Sequence, residues 1–100
     1  MKNYLKNSRK KGLSKYRIEW KKSAVKELKS LPATEIKRIF KRIEQLKDNP
    51  FPPNYKKLKG TSNLYRIKEG DYRIVYSVEY SILLIEIIRV RHRKMVYRGL

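Results

Sequence analysis

The sequence predicts an α+β domain in the order β-α-α-β-β-β, a two-helix hairpin packed on a mainly antiparallel four-stranded sheet. Two apolar stretches at helical spacing follow one short alternating stretch, and from residue 64 onward the apolar period changes from about 3.6 to 2. A turn rich in proline separates the two regimes. One hundred residues allow one domain with one modest core.

The first strand is Tyr16, Ile18 and Trp20 alternating with Arg17 and Glu19, the period of a strand with one buried face. Ser23 is then expected to cap a helix carrying Val25, Leu28 and Leu31 on one side, ended by Pro32. A second helix, with Thr34 as its expected cap, aligns Ile36, Ile39, Phe40, Ile43 and Leu46 and surrounds them with Lys37, Arg38, Lys41, Arg42 and Lys47. The segment 48–54 holds Pro50, Pro52 and Pro53 and reads as a rigid connection. Tyr65 and Ile67, then Tyr72, Ile74, Tyr76 and Val78, alternate on either side of Glu69-Gly70-Asp71, which predicts a hairpin. The run from Ile82 to Val90 is apolar on both faces in its first half, as in an internal strand covered by helices.

Residues 1–15 stand apart. They carry Lys2, Lys6, Arg9, Lys10, Lys11 and Lys15 with no acid and few apolar residues, so they are expected to form a flexible basic arm ahead of a domain spanning 16–100.

Charge narrows the function. The chain has 27 Lys plus Arg against 9 Asp plus Glu, a formal charge of +18. So large a surplus repels itself and suits a polyanionic partner, nucleic acid first of all, although a merely solvated basic surface is the plainer alternative. No cysteine and a single histidine leave no disulfide framework, no thiolate cluster and no multi-histidine metal site. The longest apolar run, Ile82 to Ile85, is far shorter than the ~18 residues of a membrane span, and residues 1–30 lack a signal-like apolar stretch. The expected setting is cytoplasmic, with no membrane partner and no small-molecule cofactor.

The hairpin gathers the candidate chemistry. Arg66 and Lys68 project from one face of their strand, and Arg73 shares that face if Tyr72, Ile74 and Tyr76 point inward. Arg89, Arg91, His92, Arg93 and Lys94, then Tyr97 and Arg98, follow at the end of the last strand. Arginine forks can hold phosphates while bases stack on a tyrosine, a mode suited to single-stranded RNA. Cleavage of RNA without a metal needs an acceptor for the 2′-hydroxyl proton, cations for the charge growing on phosphorus, and a donor for the leaving 5′-oxygen. On charge pattern alone, a solvated basic face explains the same residues more simply. Tyr97 equally suits a core aromatic, and His92 equally an inert surface residue.

These residues also carry a resemblance. The helices AVKELKSLP and IKRIFKRIEQLKDNP, the hairpin KLKGTSNLYRIKEGDYRIVYSV and the tail RVRHRKMVYR, covering about residues 16–98, resemble the RelE/ParE superfamily of bacterial and archaeal toxins from toxin–antitoxin modules, in its RelE branch. The most specific part is Leu58-Lys59-Gly60, Tyr65-Arg66-Ile67, Gly70 and Tyr72-Arg73-Ile74-Val75-Tyr76. The resemblance implies a microbial-RNase-like fold and a metal-independent endoribonuclease that enters the ribosomal A site, cleaves the mRNA codon there and is neutralised by a cognate RelB-like antitoxin. It implies Lys68 as general base beside Arg66, Arg73 as phosphate-stabilising arginine, Arg93 as acid or charge stabiliser, Tyr97 as the ring stacked on mRNA, and His92 as sharing acid duty. Lys57, Lys59, Arg89, Arg91, Lys94 and Arg98 are the expected RNA-binding cations. Arg91 stands where relatives usually have Gly before the His. The other readings are a ParE-like inhibitor of DNA gyrase, which shares the fold but lacks the basic set, and a non-catalytic RNA- or ribosome-binding module.

Overall fold

The computed structural model describes residues 15–100, so all but the last residue of the expected basic arm lies outside the described residues. In chain order the elements are β1 (Arg17–Trp20), α1 (Lys22–Lys29), α2 (Ala33–Glu44), β2 (Lys56–Lys57), β3 (Leu64–Glu69), β4 (Tyr72–Glu79) and β5 (Leu84–His92). They form a five-stranded sheet ordered β1-β5-β4-β3-β2, antiparallel except for the parallel pair β1 and β5. The α+β class and helical hairpin are as expected. The fifth strand, β2, was not: two exposed lysines carry no apolar alternation, and only their pairing with Tyr65 and Arg66 makes them a strand.

Helix starts depart from the sequence expectation as well. Neither Ser23 nor Thr34 is a cap; those positions are Lys21 and Pro32, without side-chain cap hydrogen bonds. The cause at α1 is the sheet. Lys21 N–H still donates to Ile87 O, while Lys21 O already accepts from the amides of Ala24 and Val25, so the chain turns from strand to helix at that residue. At α2, Pro32 supplies a fixed φ of −58° and its carbonyl accepts the Ile36 amide.

One face of the sheet is covered by both helices. Ala24, Leu28, Ile39, Ile43 and Leu46 meet Ile67, Ile74, Tyr76, Val78, Ile85, Ile87 and Val90 in one buried cluster. The proline-rich segment is tied to this core by Phe51, which packs against it, and by a hydrogen bond from the buried Tyr76 hydroxyl to Pro50 O at 2.6 Å. Burial pushes the Tyr76 phenol up, so it stays a donor throughout the working pH range. Tyr76→Phe is expected to cost about 1–3 kcal/mol in urea unfolding, because it strands the Pro50 carbonyl. A cost below ~0.3 kcal/mol would show that water replaces the phenol.

Two features of the sheet aim side chains. Between β3 and β4, Glu69 pairs with Tyr72 across a two-residue turn whose first central residue, Gly70, has φ +58°, a conformation glycine adopts without steric cost. Between β4 and β5 the register slips: Val75 faces Arg89 but Tyr76 faces Ile87, leaving Ile88 as the extra residue of a β-bulge. Strict alternation from Ile85 and Ile87 would carry Arg89 and Arg91 into the core. The bulge turns Val90 inward instead and sends both arginines to the face opposite the helices.

Candidate nucleic-acid interface

Register assigns the candidate residues to faces, since side chains directly opposite in an antiparallel pair lie on the same side. One row on the outer face reads Lys68, Arg73, Arg91 across β3, β4 and β5. The next reads Lys56, Arg66, Val75, Arg89 across β2 to β5. Adjacent strands lie ~4.8 Å apart, so neighbouring long cationic side chains of the first row can meet one phosphate group.

Different anchors hold the first row. Arg73 donates through Nη1 to Gly70 O and to Tyr72 O, both at 2.9 Å, which draws its guanidinium toward the turn. Arg91 pairs through Nε with Glu27 Oε2 at 2.5 Å. The other Glu27 oxygen accepts the Val90 amide at 2.9 Å. β1 ends at Trp20, opposite Ile87, so beyond it the edge of β5 has no strand partner, and the α1 carboxylate takes that place. Lys68 is exposed beside them.

The second row is largely covered. Val75 and Val96 are completely buried outside the main cluster, and Arg89, register partner of Val75, donates to Val96 O at 2.9 Å and to Arg98 O. The C-terminal turn is thus a strap across the outer face. Arg66 is 7% exposed, and its buried Nε has no hydrogen-bond partner among the described residues. The expectation of three open cations side by side therefore holds for placement on one face, while Arg66 itself is buried rather than open. A buried donor without an acceptor is costly.

At its far end the strap reaches β2. Tyr97 and Leu100, each about half exposed, line an open groove of ≈ 550 Å³ with Lys56, Lys57, Leu58, Lys59, Gly60 and Thr61. Lys57, Lys59 and Tyr97 thereby come together, a convergence that separation in sequence conceals.

Two candidates fall elsewhere. His92 pairs with Tyr72, hence on the helix-facing side, and its ring meets Tyr72 edge-on at 5.9 Å while Nδ1 accepts the Lys94 amide at 3.2 Å. It does not share the face of Arg73. Arg93, exposed at the end of β5, has its amide bonded to Asp71 O at 2.8 Å and its Nε 3.8 Å from Asp71 Oδ1. The Lys94 and Arg98 side chains are exposed. Glu27 and Lys56 escaped sequence reasoning. Glu27 looked like one more polar position on an amphipathic helix, and only the β5 edge gives it a role.

The domain is thus a small α+β fold whose sheet has helices on one face and a strapped cationic platform on the other. Residues 18–97 match the family described as "ParE toxin of type II toxin-antitoxin system, parDE". The chain is 36% identical over 85 residues to toxin RelE3 of Methanocaldococcus jannaschii, covering 81% of this chain and 94% of that protein. Its fold resembles the toxin in the archaeal RelE–RelB complex of Pyrococcus horikoshii, with TM-score 0.72 and 34% identity over 82% of this chain and 99% of that one. The RelB–RelE complex from Methanococcus jannaschii gives TM-score 0.65 and 35% identity over 81% of this chain and 96% of that one. The chain belongs to the ParE/RelE family, in its RelE branch: it is a toxin of a type II toxin–antitoxin module.

Proposed function

We propose that this toxin is a ribosome-dependent mRNA endoribonuclease. The observation that carries the reading is the row of Lys68, Arg73 and Arg91 on one face of the sheet, with Tyr97 and three lysines lining a groove where the strap meets β2. Arg73 and Arg91 hold the non-bridging oxygens of the scissile phosphate and oppose the charge that grows on them, the largest electrostatic contribution available in such a site. Lys68 accepts the proton of the 2′-hydroxyl as that oxygen bonds to phosphorus. The bond from phosphorus to the 5′-oxygen breaks, and Arg93 stabilises the leaving oxygen until a solvent water protonates it to the 5′-hydroxyl. The products are a 2′,3′-cyclic phosphate and a 5′-hydroxyl. Tyr97 stacks a base and the groove lysines hold flanking phosphates. His92, on the opposite side of the sheet, takes no part.

Dependence on the ribosome suits an open platform: the cations and the stacking ring hold the strand, and the ribosome supplies its alignment for in-line attack. A RelB-like antitoxin is the partner that silences the toxin, the pairing recorded for the two structural relatives. An acidic or amphipathic segment laid on the platform competes with mRNA for the same cations.

Purified toxin is tested on programmed ribosomes and on the same mRNA alone, with 5′ ends mapped by primer extension. Cuts confined to the A-site codon and dependent on ribosomes are expected. Intact mRNA in both tubes, with folded protein, would overturn the reading, and a DNA supercoiling assay would then test gyrase inhibition.

A further inference from the structure

The geometry assigns Arg89 as a positioning residue for Tyr97, acting through the backbone of the C-terminal strap rather than by touching RNA. The assignment rests on the proposed role of Tyr97 as the stacking ring.

Residues 93–99 wind through successive turns, with Met95, Arg98 and Leu100 amides donating to the carbonyls of His92, Met95 and Tyr97. Such bonds leave other carbonyls at the end of the turn without an amide partner. Val96 O and Arg98 O, the carbonyls on either side of Tyr97, are taken by one atom, Arg89 Nη1. The guanidinium continues along the strap: a Cβ on Gly99 would lie 3.7 Å from Arg89 Nη2, and Gly99 has φ +74°. A cation at the carbonyl end of a helical turn is favourable, and this one comes from a strand held by β4 on one edge, where Arg89 pairs with Val75, and by Glu27 at the Val90 amide on the other.

Val96 supplies the second attachment. Its side chain is completely buried on the outer face, so strap and sheet share an apolar contact immediately before Tyr97. Tyr97 is 47% exposed, which leaves the ring free for a base while its backbone is held on both sides. Arg89 has little left for a phosphate. Its guanidinium is half-buried, and burial, with Arg91 next to it, disfavours its charged form relative to a free arginine. Two backbone carbonyls take its Nη1.

A double-mutant cycle on programmed ribosomes separates the roles. Arg89→Gln should slow single-turnover cleavage about tenfold in the wild-type background and leave the rate unchanged in a Tyr97→Ala background, because both changes remove the same stacking contact. Arg89→Lys, which keeps a donor within reach of the carbonyls, should restore most of the rate. Additive losses in the cycle would make Arg89 an independent RNA contact and overturn the assignment. A second measurement needs no nuclease activity: backbone heteronuclear NOEs for residues 95–99 should fall to loop values in Arg89→Gln and stay at wild-type values in Tyr97→Ala. A strap as rigid in Arg89→Gln as in wild type would overturn the assignment. If wild-type protein cleaves nothing on ribosomes, the proposed nuclease function fails, and the NOE comparison still decides whether Arg89 holds the strap.

Discussion

Arg73→Ala is expected to reduce single-turnover cleavage of ribosome-bound mRNA by about 10²- to 10³-fold, the usual result of removing one donor aimed at a charge that develops in the transition state. Arg73 stands between Lys68 and Arg91 in the outer-face row, so its loss opens a gap at the centre of the phosphate site. Its bonds to Gly70 O and Tyr72 O are partly exposed, and their removal should lower stability by only about 1 kcal/mol. The two effects are thus separable: activity collapses while the urea midpoint moves little. Arg73→Lys should recover part of the activity, since charge is kept but the planar fork is lost. Cleavage within threefold of wild type in Arg73→Ala would remove Arg73 from the chemistry. Loss of cleavage accompanied by unfolding would instead make Arg73 a turn residue.

The largest expected effect on stability is at Ile43. Its side chain is completely buried where α2 meets the sheet, alongside Ile39 and Leu46. Ile43→Ala removes three carbons and leaves a cavity between α2 and the sheet that close-packed neighbours cannot easily fill, at a cost of about 2–5 kcal/mol. Domains of this size hold only ~5–15 kcal/mol in total, and a formal charge of +18 adds repulsion that low salt exposes. The variant should therefore show a large fall in urea midpoint with an unchanged m-value, deepest at low ionic strength. Phe40→Ala is the internal comparison. That ring is 47% exposed and stacked on Trp20 at 6.4 Å, so its loss should cost much less. Equal costs at the two positions would mean that the apolar face of α2 is not seated as described.

The hairpin was the most legible part of the chain. Alternation in Tyr65 to Ile67 and Tyr72 to Val78, with Gly70 between, gave its pairing directly, and Arg66, Lys68 and Arg73 fell on one face as expected. Periodicity also placed Leu28 of α1 and Ile39 and Ile43 of α2 in the core, whereas Phe40 is exposed and the buried Ala24 lay outside the expected stripe. The start of each helix was not legible, because the continued ladder bond at Lys21 and the fixed dihedral of Pro32 outweigh the local preferences of Ser23 and Thr34. At the site, sequence identified a supply of cations but not their distribution. Arg91 joins the Lys68 and Arg73 row, Arg89 turns to the strap, and His92 goes to the far side.

Sequence by itself determined the class of fold, the basic character of the domain and the hairpin that carries Lys68 and Arg73. All of these depend on periodicity, composition and turn chemistry within short stretches of chain. Tertiary structure decided which arginines reach the outer face, where the strap lies and that Lys56 and Lys57 form a strand. The physical reason is the single extra residue at Ile88. A strand slipped by one position exchanges its two faces, and only the packing of Val90 against the helices, set against the cost of burying Arg89 and Arg91, selects the bulged register.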